Sequence, residues 1–190
     1  TNTETSYLIK TNNQGDTLWT KILLSDTITS YGKSIHQRPD GGYIISGHTN
    51  SKIYLTKTDS SGNQQWIKQF SNNTQGGFVE PTNDGGYIIC GSIYTLVNNN
   101  DIYLIKTDSQ GDTMWTKTYG GNESDKGYMV QQTTDGGYII CGSTKSSVPD
   151  EDIYLIKTDS LGNTQWDNVF NGNNSDEGRT VQQTTDGGYI

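Results

Sequence analysis

The sequence is poor in apolar residues, which make up 29% of its 190 positions, a low share for a globular domain. No apolar run approaches the roughly 20 residues that a membrane-spanning helix needs, so we expect no membrane span. A basic and apolar signal segment is also missing at the N-terminus, where Thr1 stands in place of Met. We therefore expect a processed product or a part of a longer protein.

Basic residues are scarce as well. The 13 Lys and Arg residues stand against 21 Asp and Glu, which gives a net charge of −8. They are spread along the chain and form no stripe that could follow a phosphate backbone, so we expect no nucleic-acid partner. Aromatic residues are not scarce: 12 Tyr and 4 Trp argue against a disordered chain.

Residues that commonly carry catalysis or bind metals are few. The two histidines, His36 and His48, have no metal-ligand spacing, and no serine or cysteine stands in a nucleophile-elbow context. Cys90 and Cys141 occupy the same YIICGS segment in successive units, which predicts small buried side chains, with a disulfide as the alternative. Acidic pairs in the loops lack a calcium-binding spacing. We therefore expect no enzymatic activity, no cofactor and no metal.

A repeat of about 50 residues dominates the chain, and such self-similarity decides the fold. The segments 101–115 and 152–166 read DIYLIKTDSQGDTMW and DIYLIKTDSLGNTQW. Tryptophan recurs at intervals of 47, 49 and 51 residues, at Trp19, Trp66, Trp115 and Trp166. An Asp-Gly-Gly-Tyr-Ile motif begins at Asp40, Asp84, Asp135 and Asp186.

One unit contains four strand-like segments, rich in β-branched and aromatic residues and separated by short connections. They span residues 127–133, 138–144, 152–159 and 164–170. The short turns predict that neighbouring strands pair antiparallel as hairpins. In these turns we expect Gly136 and Gly137 to take positive φ and Gly162 to turn the chain.

The third segment is apolar on both faces, with Ile153 and Leu155 on one and Tyr154 and Ile156 on the other. Such a strand belongs to a sheet sandwiched between others. A four-stranded meander covered on both faces by copies of itself is a propeller blade. The sequence therefore predicts an all-β propeller with about four four-stranded antiparallel blades, and a stacked β-repeat solenoid is the alternative.

We predict a single repeat domain over residues 1–190. Its blades cover approximately 31–70, 76–119 and 127–170, and a split blade combines 178–190 with 5–24. Unpaired strand edges seek partners. The split blade would be completed within one molecule, by a neighbouring copy, or by further repeats of a longer chain.

The order of strands and turns resembles that of WD40 blades, without their Gly-His and Trp-Asp signatures. The Gly-Gly doublet, the tyrosine and the spaced tryptophans are similar to kelch repeats. The strongest resemblance is to the KTDxxGxxxW and DGGYI repeats of large secreted surface proteins of Gram-negative bacteria, and it covers essentially the whole chain. It implies a propeller-type fold and an extracellular or cell-surface location.

The connection between the second and third strands differs most among units, and functional variation gathers on loops that a rigid frame holds. In the second of these connections, Tyr94 is a candidate ligand contact, and a lid over the blade edge is its alternative role. In the third connection, Asp150 and Glu151 are further candidates, with solvated loop charge as the alternative. The connections span residues 49–53, 93–101 and 143–152.

Glycosylation motifs also recur. Asn-X-Ser/Thr sequons fall in the same loop of successive units, where modification would place glycans on one rim; the alternative is that Asn and Ser simply suit loops. These sequons begin at Asn72, Asn122 and Asn173. An Asp-Thr-apolar motif, which resembles an O-glycosylation motif of some secreted bacterial proteins, occurs at Thr17, Thr27 and Thr113.

From these features we expect a non-catalytic extracellular repeat module with a structural or adhesive role, which can form a scaffold or a fibre. Its expected partners are other copies, neighbouring repeats of a longer chain and a surface polysaccharide. The alternative is a carbohydrate-binding propeller or a carbohydrate-active enzyme that uses the variable loops.

Overall fold

The structure, a computed structural model, describes residues 4–24, 28–95, 99–147, 150–172 and 174–190. Within these ranges the chain forms fourteen β-strands and no helix. The described residues accordingly contain no helix that is long and apolar enough to cross a membrane. The chain divides into two compact units, residues 1–75 and 76–190.

The first unit contains an N-terminal hairpin, β1 and β2, and a first blade, in which four strands pair in the order β3-β4-β5-β6. Every pair that the register defines is antiparallel. The strands are β1 (Tyr7–Thr11), β2 (Thr17–Ile22), β3 (Ser30–Gln37), β4 (Tyr43–Thr49), β5 (Ile53–Thr58) and β6 (Gln64–Phe70).

The second unit contains a second blade, ordered β7-β8-β9-β10, and a third blade, ordered β11-β12-β13-β14. The all-β class and the four-stranded antiparallel, propeller-type blades are therefore confirmed. β7 begins at the boundary between the units. The strands are β7 (Thr74–Pro81), β8 (Tyr87–Tyr94), β9 (Asn100–Thr107), β10 (Thr113–Tyr119), β11 (Asp125–Gln132), β12 (Tyr138–Ser147), β13 (Asp150–Thr158) and β14 (Thr164–Phe170).

The two glycines of the Asp-Gly-Gly turn serve different purposes. Gly136 takes a φ of 82°, as expected for the residue that reverses the chain. Gly137 lies outside the left-handed region, but a Cβ there would stand 2.1 Å from the carbonyl oxygen of Thr158. The prediction of positive φ is therefore wrong for Gly137, whose missing side chain lets β13 approach the turn.

Strands β12 and β13 continue further than the sequence predicts. We expected a long loop over 143–152, but β12 runs to Ser147 and β13 begins at Asp150. Ser and Thr residues favour no turn strongly enough to end a ladder, so backbone pairing extends beyond the apolar segment. The candidate residues Asp150 and Glu151 therefore lie on a strand.

Packing between the second and third blades forms an apolar core in the second unit. β9 is buried on both faces from Ile102 to Thr107. On β13, where the sequence predicts the sandwiching, Ile156 is buried but Ile153, Tyr154 and Leu155 are only half-buried. The core consists of Ile88, Cys90, Ile102, Leu104 and Tyr119 from the second blade and Val130, Tyr138, Ile140 and Ile156 from the third.

Both cysteines are free and buried, so the interpretation as small packing residues is confirmed. Burial raises the pKa of the Cys141 thiol to about 11, and burial also raises the pKa of Cys90. Neither thiol has the lowered pKa of a reactive cysteine.

Trp19, Trp115 and Trp166 each pack on the tyrosine of the next Asp-Gly-Gly-Tyr motif. In the second unit the rings of Trp115 and Tyr138 meet edge to face at 5.9 Å. In the first unit Trp19 of the hairpin meets Tyr43 of the first blade at 6.1 Å. The hairpin thus packs on the first blade as the second blade packs on the third.

Polar contacts at these two junctions are also the same. Lys117 donates from Nζ to Oδ1 of Asn163 over 3.1 Å, and Lys21 does so to Asn63 over 2.9 Å. One repeated set of side chains therefore sets one blade-to-blade geometry in both units.

A buried lysine on the third strand pairs with the aspartate of the Asp-Gly-Gly turn. Lys157 Nζ lies 2.9 Å from Asp135 Oδ2 and donates to the Thr158 carbonyl over 2.8 Å. Lys106 makes the same contact with Asp84 at 2.8 Å. Because a buried ammonium must be paired, this bridge fixes the turn against the strand.

The pKa of these aspartates falls because their neighbours favour the ionised form. The Lys157 ammonium, with the Thr133 hydroxyl and the Gly137 amide, lowers the pKa of Asp135 to about 2. Burial opposes ionisation of Asp84, yet Lys106, Thr82 and Gly86 together lower its pKa to about 2 as well. Folding therefore favours loss of these protons.

We expect acid to weaken the third blade through Asp135. A folded pKa below the unfolded value of 3.8 means that the stabilisation is complete above about pH 4 and is lost as pH falls towards about 2. Because the Asp135 side chain is 55% exposed, we discount its worth to about 1 kcal/mol at pH 5. Urea unfolding of wild type and Asp135→Asn at pH 5 and pH 2 measures this difference.

At pH 2 the two proteins should be almost equally stable. Asp16→Asn, in the exposed β1–β2 turn, where Asp16 pairs with Asn12 and, among the described residues, with no lysine, is the control and should follow the wild type at both pH values. A stability difference between wild type and Asp135→Asn that stays constant from pH 5 to pH 2 would contradict the assignment.

Candidate functional site: the hairpin ends of the second unit

Tyr94 lies at the end of β8 and not within a loop. It is exposed, and its backbone stands opposite Asn100 of β9. The hairpin continues one step further, where the Thr95 amide donates to the Asn99 carbonyl over 3.0 Å. A strand end is more rigid than a loop, so the position of Tyr94 is better defined than the sequence predicts.

This hairpin end is tied to the loop that follows β10. Asn99 donates from Nδ2 to the carbonyl oxygens of Gly121 and Glu123 over 3.3 and 3.1 Å. Asn100 donates from Nδ2 to the Ser124 hydroxyl over 3.4 Å. The variable connection and the sequon-bearing loop of the second blade therefore form one surface.

The same arrangement recurs at the start of β13. Ser175 donates from Oγ to a carboxylate oxygen of Asp150 over 3.4 Å and accepts from the Glu151 amide over 3.2 Å. The amide of Asp176 donates to the Glu151 carbonyl over 2.6 Å. We call this surface, formed by the hairpin ends of β8–β9 and β12–β13 with loops 120–124 and 171–176, the rim.

In the first unit a shorter connection meets the equivalent loop in a different way. Thr74 Oγ1 accepts from the Ile53 amide over 2.8 Å, and the Thr74 amide donates to the Ser51 carbonyl over 3.0 Å. Thr74 is buried at the first position of β7, whereas Ser124 directly precedes β11. The sequons thus share a loop but not a structural position.

The candidate glycosylation residues stay predictions, and the structure places four of them. Asn72 and Asn122 are exposed next to the variable connections. Thr17 and Thr113 are exposed as the first residues of β2 and β10, at the opposite end of the strands. Asn173 and Thr27 lie outside the described residues.

Glu151 is held by positive charge. Its carboxylate accepts from Lys126 Nζ over 2.7 Å and from the Ser143 hydroxyl over 3.2 Å, and Lys145 lies 3.9 Å away. The bond from Lys126 lowers the pKa of Glu151. Glu151 is therefore an anionic anchor, and it is a poor donor of a proton at neutral pH.

Three further residues, Tyr128, Glu177 and Arg179, extend the rim and were not identified from the sequence. The Tyr128 hydroxyl lies 3.4 Å from the Ser143 hydroxyl, which contacts Glu151. The Arg179 guanidinium lies 4.4 Å from the centre of the Tyr128 ring, within cation–π range. Tyr128 donates to Glu177 Oε1 over 3.3 Å, and Arg179 forms an ion pair with Glu177.

Their repeat position carries a signal that could have found them. Tyr128 and Arg179 each follow a glycine that faces the preceding blade, and Lys33 and Gly77 take the same place in the earlier repeats. Four different residues at one place of a regular repeat indicate that the blade itself does not require any of them.

Carboxylates with a raised pKa lie next to loop 120–124 of the rim. Burial raises the pKa of Asp125, and burial together with the charge of Asp125 raises the pKa of Asp101. Asp125 is buried at the start of β11 and accepts from the Gly121 amide over 2.9 Å. Glycoside hydrolysis needs an accessible acid of raised pKa beside a second carboxylate. Asp125 is buried and the pKa of Glu151 is lowered, whereas Asp101 is half-buried next to the charge of Asp125.

Metal ligands do not converge at the rim. Over the ranges that the structure describes, no group of three or more His, Cys, Asp and Glu side chains could hold a metal ion. What this surface offers is hydrogen-bonding oxygens, several carboxylates and an aromatic ring covered by a guanidinium.

Comparison with known proteins gives little beyond this geometry. No protein-family model and no curated protein matches the chain. Among solved structures, the chain is similar to a protein of unknown function from Bacteroides caccae, with 10% sequence identity and a TM-score of 0.35 over 84% of this chain and 73% of that one. A likeness at this level carries no argument about fold or function.

Proposed function

We propose that this chain is a non-catalytic extracellular repeat module of a bacterial surface protein, and that it acts as a scaffold which presents the rim to a binding partner. The residues that recur from repeat to repeat stabilise the blades: the tryptophan packs on the next tyrosine, and the lysine neutralises the turn aspartate. The residues that differ lie at the hairpin ends. The resemblance to secreted bacterial repeats supports the location.

The observation that carries the proposal is the hydrogen bonding of the rim. Variable connections are normally the mobile parts of a repeat, but here each is fixed to a neighbouring loop by side-chain bonds such as those of Asn99 and Ser175. A surface that is fixed before binding loses little conformational entropy on binding. Variable residues on a fixed surface are typical of recognition.

A surface polysaccharide is the partner that the chemistry of the rim favours. Tyr128 beneath Arg179, with Glu151 and Glu177 beside them, provides both a flat face and hydrogen-bonding oxygens. Exposed Tyr94 adds a second ring. Neutral or weakly basic glycans suit this acidic chain better than phosphorylated polymers do, because its net charge is −8.

Binding to an array of bacterial and host glycans tests the proposal. We expect Tyr94→Ala and Glu151→Gln each to weaken any glycan found by tenfold or more, because each removes a contact from a prepared surface. Leu161→Ala, an exposed apolar residue in the β13–β14 turn at the other end of the blade, should bind like the wild type. Equal binding by all three variants would contradict the assignment of the rim.

The rival reading, a carbohydrate-active enzyme, is tested on the same glycans. We expect no turnover when the products are analysed by chromatography. Reproducible cleavage by the wild type that Glu151→Gln abolishes would overturn the non-catalytic proposal.

A further inference from the structure

Two aspartate side chains meet where the second blade packs on the third. Asp101 precedes the buried part of β9, and Asp125 is the first residue of β11. A Cβ at Gly120 would collide with Asp101 Oδ1, at 2.8 Å, and also with Asp125 Oδ2, so both oxygens converge on one point. Gly120 has a φ of 152° and no side chain, which leaves room for the two carboxylates to approach each other.

The oxygens of this pair lack one hydrogen bond. Asp101 Oδ1 is shielded from solvent and has no hydrogen-bond partner among the described residues. The Asp125 side chain is almost fully buried, and it accepts from the Gly121 amide over 2.9 Å and from the Thr144 hydroxyl. A buried acceptor without a donor costs free energy. A proton held between the two carboxylates supplies the missing hydrogen bond, because a carboxylic acid is a donor.

Acidic groups around the pair increase its affinity for a proton. Burial raises the pKa of Asp125, and the charge of Glu123 adds to this effect. Burial likewise raises the pKa of Asp101, with the charge of Asp125 adding to it. On β13, Tyr154 packs against the core between the blades, and Asp152, which holds the repeat position of Asp101, is on the same face of the strand.

The neighbouring cations are bound to another carboxylate. Lys126 and Lys145 directly follow Asp125 and Thr144 in the chain. Both lie against Glu151, at 2.7 and 3.9 Å. A proton therefore remains as the positive charge that the aspartate pair can take up.

The blade itself does not require two acids at these positions. In the first unit, Lys52 takes the place of Asp101, and Thr74 takes that of Asp125. Thr74 Oγ1 accepts from the Ile53 amide over 2.8 Å, so a hydroxyl and an amide join the strands where the second unit places carboxylates. A repulsion that the repeat can avoid indicates a role other than folding.

The pair is adjacent in the chain to the contacts that fix the rim of the second blade. Asn99 and Asn100, the two residues before Asp101, donate to loop 120–124, and Asp125 directly follows that loop. Repulsion between two ionised carboxylates therefore acts between the same two segments that these asparagines hold together.

We propose that Asp101 and Asp125 share one proton, and that its loss loosens the hairpin end of β8–β9 from loop 120–124. With the proton in place, one carboxylic acid donates to the other carboxylate, and the pair carries a single negative charge. After the proton leaves, two negative charges face each other at a buried junction. The consequence for glycan binding rests on the proposed function, but the proton is measured without a glycan.

The pH dependence of this pair is opposite to that of Asp135. A folded pKa above the ordinary value of 3.8 means that ionisation lowers stability at neutral pH, and that this loss is relieved as pH falls. Asp101→Asn removes one charge and keeps the shape of the side chain. We expect it to raise the ratio of folded to unfolded protein roughly fivefold at pH 7.5 and to leave it unchanged at pH 4, as measured by urea unfolding.

Glu123→Gln is the matched control, because it removes an exposed charge from the same loop. It should change the ratio by less than about twofold at both pH values. The gain from Asp101→Asn should vanish in an Asp125→Asn background, where the second charge is already gone. A gain that persists in that background, or that is the same at pH 7.5 and pH 4, would overturn the shared proton.

Carboxyl ¹³C NMR of the wild type follows the proton directly and needs no variant. The side chains of Asp101 and Asp125 should titrate as a coupled pair in two steps, one of them above the ordinary pKa of 3.8. Two carboxyl groups that titrate together near that value would contradict the proposal. Stabilisation by calcium chloride at pH 7.5 that Asp101→Asn abolishes would also contradict it, because a cation would then hold the place of the proton.

Hydrogen exchange reports the hairpin end. The Thr95 amide donates to the Asn99 carbonyl over 3.0 Å, and it should exchange at least about threefold faster in the wild type than in Asp101→Asn at pH 7.5. Equal exchange rates would overturn the proposed loosening. None of these measurements uses a glycan, so failure of the proposed function would leave their results unchanged.

Discussion

Gly127→Ala should strongly destabilise the second unit, although it adds only one methyl group. A Cβ at Gly127 would lie 2.6 Å from both the Cys90 Sγ and the Gly91 carbonyl oxygen, and 2.9 Å from Cγ2 of Ile102. Since the carbonyl belongs to a strand in the middle of a sheet, it cannot withdraw without breaking the ladder. We expect a loss of about 3 kcal/mol in the free energy of unfolding, at the upper end for overpacking.

Gly121→Ala is the matched control, because nothing lies within 4 Å of a Cβ at that position. It should change the stability by less than about 1 kcal/mol, with a slight gain from the stiffer unfolded chain. Thermal and urea unfolding followed by tryptophan fluorescence measure both variants. Equal stabilities would mean that the second and third blades are not packed as closely as described.

Leu104→Ala and Leu155→Ala should differ although they make the same change at the same repeat position. Leu104 is fully buried between the second and third blades, whereas Leu155 lines an open apolar groove beside Phe170 and is only partly buried. We expect a cost of about 3–4 kcal/mol for Leu104→Ala and about half of that for Leu155→Ala, since a groove open to solvent leaves no closed cavity.

The comparison is made by urea unfolding at low protein concentration. A larger cost for Leu155→Ala than for Leu104→Ala in the dilute protein would contradict the description of the open groove.

Constant and variable positions of the repeat have separate roles. Lys106 and Lys157 recur because each neutralises a turn aspartate inside the blade. Tyr128 and Arg179 differ from their counterparts because the blade needs no particular side chain there. The functional proposals therefore concern the positions where the units disagree.

Much of the fold could be predicted from the sequence, because the same strand and turn patterns recur in successive repeats. Segments that are apolar on both faces, such as β9, specify strands covered on both faces, and the Asp-Gly-Gly turn specifies the hairpin. The sequence could not show that Gly137 is required for packing and not for a positive φ, because this depends on the Thr158 carbonyl oxygen, which would stand 2.1 Å from a Cβ at Gly137.

The candidate site, too, could be predicted from the sequence only in part. The variable connections, with Tyr94, Asp150 and Glu151, could be found from the sequence because they are the segments in which the units differ. Their attachment to the sequon loops, and the stacking of Arg179 on Tyr128, could not. Those contacts join residues about 25 to 50 positions apart in the chain, and no local pattern encodes which loop a turn will meet.

By itself, the sequence determined the repeat, the strand order within each blade and the apolar residues of the core, because these follow from period, turn chemistry and burial. Only the tertiary structure decided which faces are covered. Phe170 and Tyr119 hold the same place in the repeat, yet one is exposed and the other buried. Burial depends on the neighbour that a blade has, and identical local sequences carry no information about that neighbour.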